Sequence, residues 1–190
     1  MAALGGTHCA CYSLPMRIIG LAGWSGSGKT TLVAKLIPIF VGRGLKVSTV
    51  KHAHKGFDID IPGKDSHTHR MAGATEVFVA SGRRWAHVRE LRNEPEPDLV
   101  DILPRLSPVD LLIVEGFKRH QHPKIEIYRA EVGKPLLHPD DNYIVAIASD
   151  TSITDAAIPV IDLDDVEKIA DAMQVEAMPV ERLKPRSEKA

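Results

Sequence analysis

Cysteine is scarce in this chain of 190 residues: Cys9 and Cys11 are its whole complement, too close together for an ordinary disulfide. A disulfide-stapled scaffold is thereby excluded, and two free thiols in a reducing compartment are expected. His8 completes a potential metal trio with them, but a chain end offers such a site no supporting shell. No run approaches the ~20 apolar residues of a membrane span. Residues 1–15 lack the basic start and apolar stretch of a secretion signal, so a disordered extension and a cytoplasmic protein are expected. Charge of one sign is also missing. With 24 Lys and Arg against 25 Asp and Glu, no basic excess points to nucleic acid and no acidic tract to a solvating tail.

What is present is the alternation of an α/β domain. Apolar residues make up 44% of the chain, enough for a packed core. Residues 17–22 read as a buried strand. The helical period then takes over at Lys29, with Leu32, Leu36 and Phe40 on one face, Pro38 as a kink, and Gly42 and Gly44 as the stop. Strands follow at 46–51, 75–80, 84–90, 109–114, 124–130, 143–148 and 158–161. The segments 84–90 and 124–130 alternate like exposed, pairable edges, whereas 109–114 has the continuous apolarity of a central parallel strand. Asp65 is read as the cap of a short helix, Asp98 as the cap of another, and Asp164 as the cap of a last one, with Glu167 completing a capping box. The expectation is one domain over 16–178, a three-layer α/β fold of the P-loop NTPase kind with a mostly parallel central sheet, and a polar tail over 179–190. In such sheets ligands lie beyond the carboxyl ends of the strands.

One motif carries the chemistry. GWSGSGKT at 23–30 fits the phosphate-loop pattern without a mismatch, after a strand and at the start of a helix. Its glycines let backbone N–H groups turn inward around phosphate oxygens, and the helix start adds a favourable potential. Lys29 supplies charge to the β- and γ-phosphates, the Thr30 hydroxyl is a Mg²⁺ ligand, and Thr31 supports the α-phosphate. The metal's carboxylate is expected at the end of the central strand, where Glu115, followed by Gly116, either reaches Mg²⁺ through water or polarises the attacking water as a catalytic residue. Asn-Lys-x-Asp, the usual guanine reader, is absent, as is D-x-x-G with a following Gln. Hydrolysis is therefore expected near the unassisted scale of about 10⁻⁴ to 10⁻² s⁻¹. The base is expected at Ser149 and Asp150, because a carboxylate pairs with the guanine N1 and N2 donors in a way adenine cannot match, with Asp162 beyond the last strand as the rival reader.

Several strings in order resemble the molybdopterin-guanine dinucleotide biosynthesis adaptor (MobB) family. They are GWSGSGKTTL at 23–32, KHAH at 51–54, DIDIPGKDS at 58–66, RMAGA at 70–74, RRWAHVREL at 83–91, VEGFK at 114–118 and IASD at 147–150. The resemblance implies a homodimer that prefers GTP, hydrolyses it weakly with Mg²⁺, and assists the guanylyltransferase that turns molybdopterin into its guanine dinucleotide. On this resemblance the phosphate loop is Gly23, Trp24, Ser25, Gly26, Ser27, Gly28, Lys29, Thr30 and Thr31, with Lys51, His52 and His54 approaching the γ-phosphate. Asp58, Asp60 and Asp65 are the candidate acids for Mg²⁺ or water, Asp60 being taken as the site residue and the choice left open. Trp24 stands where the wider group of dimeric P-loop ATPases carries a lysine, which argues against a lysine donated across the dimer. A small-molecule kinase using the same loop is the rival reading. The pairs His67/His69 and His120/His122 read as solvated rather than metal-binding, since zinc needs at least three protein ligands. Trp85, beside Arg83 and Arg84, reads as core unless it serves a protein contact.

Overall fold

Strand β1 (Arg17–Ala22) runs straight through the glycine-rich loop into helix α1 (Lys29–Gly42) in the computed structural model, which describes residues 15–53, 56–118 and 120–185. Leu32, Leu36 and Phe40 are buried on one face of α1, as their spacing requires. Pro38 does not end the helix. Gly44 does: at φ +82° its N–H donates to Val41 O while Leu45 N donates to Phe40 O, the paired closure of a Schellman motif. Then come β2 (Val47–Lys51), α2 (Asp65–Met71), β3 (Glu76–Ala80), β4 (Trp85–Arg89) and α3 (Leu99–Ile102). The second half supplies β5 (Leu111–Glu115), β6 (Lys124–Tyr128), β7 (Ile144–Ser149), β8 (Val160–Asp162), α4 (Val166–Glu176) and β9 (Met178–Pro179).

The main sheet is ordered β2-β5-β1-β6-β7-β8 with every neighbour parallel, and β9 adds an antiparallel bridge to the start of β1. The expected α/β architecture with a mostly parallel sheet is therefore present. On one face α1 and α4 cover Leu21, Ile113 and Ile127, with Phe40 and Met173 at the centre. On the other, Leu99 of α3 and the closing segment Met178, Val180 and Leu183 cover Ile18, Leu112 and Val114. Burial on both faces explains the unbroken apolarity of β5.

Four readings change. β6 is not an edge: it lies between β1 and β7, and its alternation hides two charges in the interior. Lys124 Nζ donates to His120 O at 2.7 Å and Asp141 Oδ2 at 3.1 Å; Glu126 accepts from Leu137 N at 2.7 Å and His138 N at 2.9 Å. Such burial is tolerable only with these partners. His120 and His122 are likewise buried, not solvated. The caps shift as well. Asp65 is the first residue of α2 after an uncapped Lys64, and α4 is capped by Asp165, whose Oδ1 accepts from Lys168 N, so Asp164 and Glu167 form no box. Of the tail expected to fray past Met178, the described residues to Pro185 instead continue β9 and make a short turn of 3₁₀ helix over Val180–Arg182, with Val180 N donating to Met16 O; 186–190 lie outside the described residues. Asp98 does cap α3, in a box with Asp101. The strands β3 and β4 form an antiparallel hairpin of their own, apart from the main sheet.

Candidate nucleotide site

Gly23 opens the loop where β1 ends. Its φ is +143°, and a Cβ there would stand 2.6 Å from the Ile127 carbonyl oxygen and 2.7 Å from Ser27 Oγ, so only glycine fits. Gly28, at φ +90°, leads into α1. That helix start has no side-chain cap and no acid in its first turn. Its free N–H groups and positive dipole end are left for an anion.

The cations converge on the same place. Lys29 Nζ donates to Gly23 O at 2.9 Å and Trp24 O at 2.7 Å. Burial lowers its pKa; Glu115 opposes that shift, and Lys118 and Lys51 add to it. Thr30 Oγ1 donates to Glu115 Oε1 at 3.0 Å and accepts from Lys51 Nζ at 3.2 Å, while Lys51 Nζ lies 3.3 Å from the same carboxylate. Register explains the meeting, since Lys51 pairs with Glu115 across β2–β5 and Glu115 with Leu21 across β5–β1. Gly23, Lys29, Thr30, Lys51, Glu115 and Lys118 help to line an open cavity of about 500 Å³. Three lysines, one carboxylate and a helix start suit a polyanion. Thr30 Oγ1 and Glu115 are also hard oxygen donors side by side, which fits Mg²⁺ arriving with phosphate and keeping most of its waters. Among the described residues, no group of three or more His, Cys, Asp or Glu could hold a metal by itself.

On the other side of the loop, the ends of β6 and β7 carry a second set. Arg129 passes close to Gly28, its Nε 3.4 Å from where a Cβ would stand, and its NH1 lies 3.6 Å from Asp150 Oδ2. Asp150 Oδ1 accepts from Ala130 N at 3.1 Å. Asp150, Thr151, Ile161 and Asp162 help to line a separate cavity of about 620 Å³. The Ser149 hydroxyl is turned to its own loop, donating to Thr151 O and accepting from Thr151 N.

Most of the expected site residues thus come together. Gly23, Ser25, Gly26, Gly28, Lys29, Thr30 and Thr31 face the phosphate cavity with Lys51, His52 and Glu115. Ser27 is buried beneath the loop. Trp24 turns aside: its Nε1 donates to Pro135 O at 2.8 Å, and Lys118 Nζ sits 4.8 Å over its ring. His54 lies outside the described residues. Asp60 is not in the cavity. It accepts from Ser66 Oγ at 2.7 Å and Arg70 NH1 at 3.2 Å, and Asp58 joins it on Arg70 at 2.8 Å. Arg70 is the main cause holding Asp58 down to about 2; for Asp60, Ser66 contributes most to a lowered value. Asp65 is exposed on α2. Two cations of the candidate site carry no motif signal of their own: Lys118, in the string VEGFK, and Arg129, which follows a strand that reads as an edge. Gly116, at φ +95°, lets His52 approach.

A sequence profile of the family described as "Molybdopterin guanine dinucleotide synthesis protein B" matches residues 18–150. A molybdopterin-guanine dinucleotide biosynthesis adapter protein of Escherichia coli (strain K12) is 41% identical over 157 residues, covering 81% of this chain and 89% of its own length. The like-named protein of Haemophilus influenzae (strain ATCC 51907 / DSM 11121 / KW20 / Rd) is 38% identical over 160 residues, covering 83% and 87%. A crystal structure of molybdopterin-guanine biosynthesis protein B superposes with a TM-score of 0.64 at 31% identity, covering 83% of this chain and 98% of that one. With most of its length matched in sequence and in fold, this chain belongs to the MobB family.

Proposed function

We propose that the protein is a GTP-binding adaptor with weak GTPase activity that assists the synthesis of molybdopterin-guanine dinucleotide. It does so as a cytoplasmic homodimer working with the guanylyltransferase. The observation that carries the nucleotide reading is the uncapped start of α1 facing Lys29, Lys51 and Lys118. The triphosphate lies along the loop with its γ end toward Lys51 and Glu115 and its base toward Asp150. Thr30 and Glu115 would hold Mg²⁺, which supplies charge neutralisation when bound. Weak hydrolysis is supported by the withdrawal of Asp60 to Arg70. The adaptor role is supported by the names of the two bacterial relatives. Asp150 is the base reader of the proposal, oriented by the Ala130 N–H and by Arg129.

Calorimetric titration with GTP and ATP tests this reading. Lys29→Ala lowers triphosphate affinity about tenfold or more, ~1.4 kcal/mol, with an unchanged circular dichroism spectrum. Asp150→Ala keeps triphosphate binding but erases most of a GTP preference of about 10- to 100-fold, the worth of hydrogen bonds to a charge. Full affinity in the lysine variant overturns the phosphate site. An undiminished GTP preference in the aspartate variant overturns the base site.

A further inference from the structure

A third cavity, of about 690 Å³, adjoins the phosphate cavity, and the two share Lys51, His52 and Ala53 as a common wall. That size is ordinary for a small-molecule site. The wall is well fixed. His52 N donates to Glu115 O at 2.8 Å, and its ring packs 4.9 Å from that of Phe117. Its Nε2 meets Glu96 Oε1 at 2.5 Å.

Beyond the wall the lining is largely apolar, from Phe57, Leu91, Pro95, Val100, Ile102 and Phe117. Its acids are already committed: Glu94 to Arg89, Glu96 to His52, and Asp101 to the Asp98 N–H of the capping box. Arg105 differs, having no ion pair among the described residues. The cavity therefore combines an apolar, aromatic-walled slot with an uncompensated guanidinium, and it abuts Lys51.

We infer that this cavity is a second ligand site, for a planar heterocycle bearing a phosphate ester, coupled through Lys51 and His52 to the nucleotide beside it. The apolar walls, with Phe57 and Phe117, accept a ring system, and Arg105 and Lys51 donate to the phosphate. The coupling has a definite sign. A γ-phosphate draws Lys51 away from the shared wall, so the second ligand binds more weakly beside a triphosphate than beside a diphosphate. The inference rests on the proposed adaptor reading for its choice of heterocycle, a pterin.

The test uses neopterin monophosphate as probe, followed by its fluorescence on the full chain loaded with GDP or with a non-hydrolysable GTP analogue. Saturable binding is expected, about fivefold or more tighter with GDP. Arg105→Glu weakens the probe about tenfold or more, and Phe57→Ala weakens it too, while both variants bind the GTP analogue like the parent. Absence of saturable binding, equal binding of unphosphorylated neopterin, or indifference to Arg105→Glu each overturns the inference. Nucleotide affinity is measured separately, so failure of the GTP site shows in that titration alone. With GTP itself, a mass gain of one phosphoryl group on the probe supports the cavity assignment and overturns the adaptor reading in favour of a kinase.

Discussion

Replacing Gly23 by alanine strikes the phosphate loop at its tightest point, and Gly26→Ala provides the control. The new Cβ at position 23 would sit 2.6 Å from Ile127 O. That oxygen belongs to β6, an interior strand bonded on both sides, and cannot yield without moving the sheet. Gly26 also has positive φ, +85°, but nothing lies within 4 Å of its missing Cβ. Left-handed backbone strain alone costs about 1–2 kcal/mol, and overpacking typically adds about 1–3 kcal/mol. Gly26→Ala should therefore lose about 1–2 kcal/mol of stability and Gly23→Ala about 2–5 kcal/mol. Urea titration of both variants gives the two values, and GTP calorimetry on the folded fractions gives the functional effect. GTP affinity should fall further in the Gly23 variant, because the clash displaces the carbonyl that Lys29 grips. A Gly23→Ala protein as stable and as tight-binding as Gly26→Ala refutes this account of the loop.

Glu115→Gln preserves shape and a hydrogen-bond acceptor for Thr30 but removes the charge. The Mg²⁺-dependent part of GTP affinity should drop about 10- to 100-fold, in line with ~1.5–3 kcal/mol for a charged hydrogen bond, and an equal Mg²⁺ dependence in both proteins refutes the metal assignment. Phe78 and Trp85 are each 62% exposed on the β3–β4 hairpin and stack on one another at 5.1 Å. Sedimentation at micromolar concentration should show a dimer that Trp85→Glu dissociates; a monomeric parent contradicts the proposed homodimer, and a variant that stays dimeric contradicts pairing through this hairpin. His122 is buried, and that burial, reinforced by Lys124 and His120, lowers its pKa from 6.5 to about 3. The unfolded chain thus binds the extra proton between those values, so stability present above pH 6.5 is lost as pH falls toward 3, with a ceiling of about 5 kcal/mol. His122→Gln should flatten the urea midpoint between pH 6.5 and 4 relative to the parent, and parallel profiles sink the assignment.

The sequence was most legible where local pattern and burial agree. The loop at 23–30, the stripe of Leu32, Leu36 and Phe40, and the apolar run of β5 each have a single physical reading. β6 misled because alternation marks polarity on one face, not exposure, and here the polar face is covered by the loops carrying His120, Leu137 and Asp141. Periodicity within the strand cannot show that Lys124 finds His120 O and Asp141, or that Glu126 finds the N–H groups of Leu137 and His138, in the flanking loops. Caps erred by one residue at Asp164 and Asp165, where consecutive aspartates offer the same chemistry and only backbone geometry chooses. The closing segment looked polar, but Met178, Val180 and Leu183 reach an apolar surface that no window of sequence reveals.

Asp60 was the least legible site residue, and its placement bears on rate. A catalytic base must hold its proton affinity in reserve. The carboxylates of Asp58 and Asp60 spend theirs on Arg70 and Ser66, and both are pushed below the ordinary carboxylate range. Such groups gain little from taking a proton from water at neutral pH. Glu115 remains in the phosphate cavity, yet it accepts from Thr30 and pairs with Lys51, the arrangement of a metal or charge holder more than a base. The cations are placed for binding: Lys29, Lys51 and Lys118 on one side of the loop, Arg129 on the other. On the proposed reading, a site that holds a triphosphate without a free base beside it would keep its nucleotide long enough for a partner to read it, which is the behaviour the proposed adaptor requires.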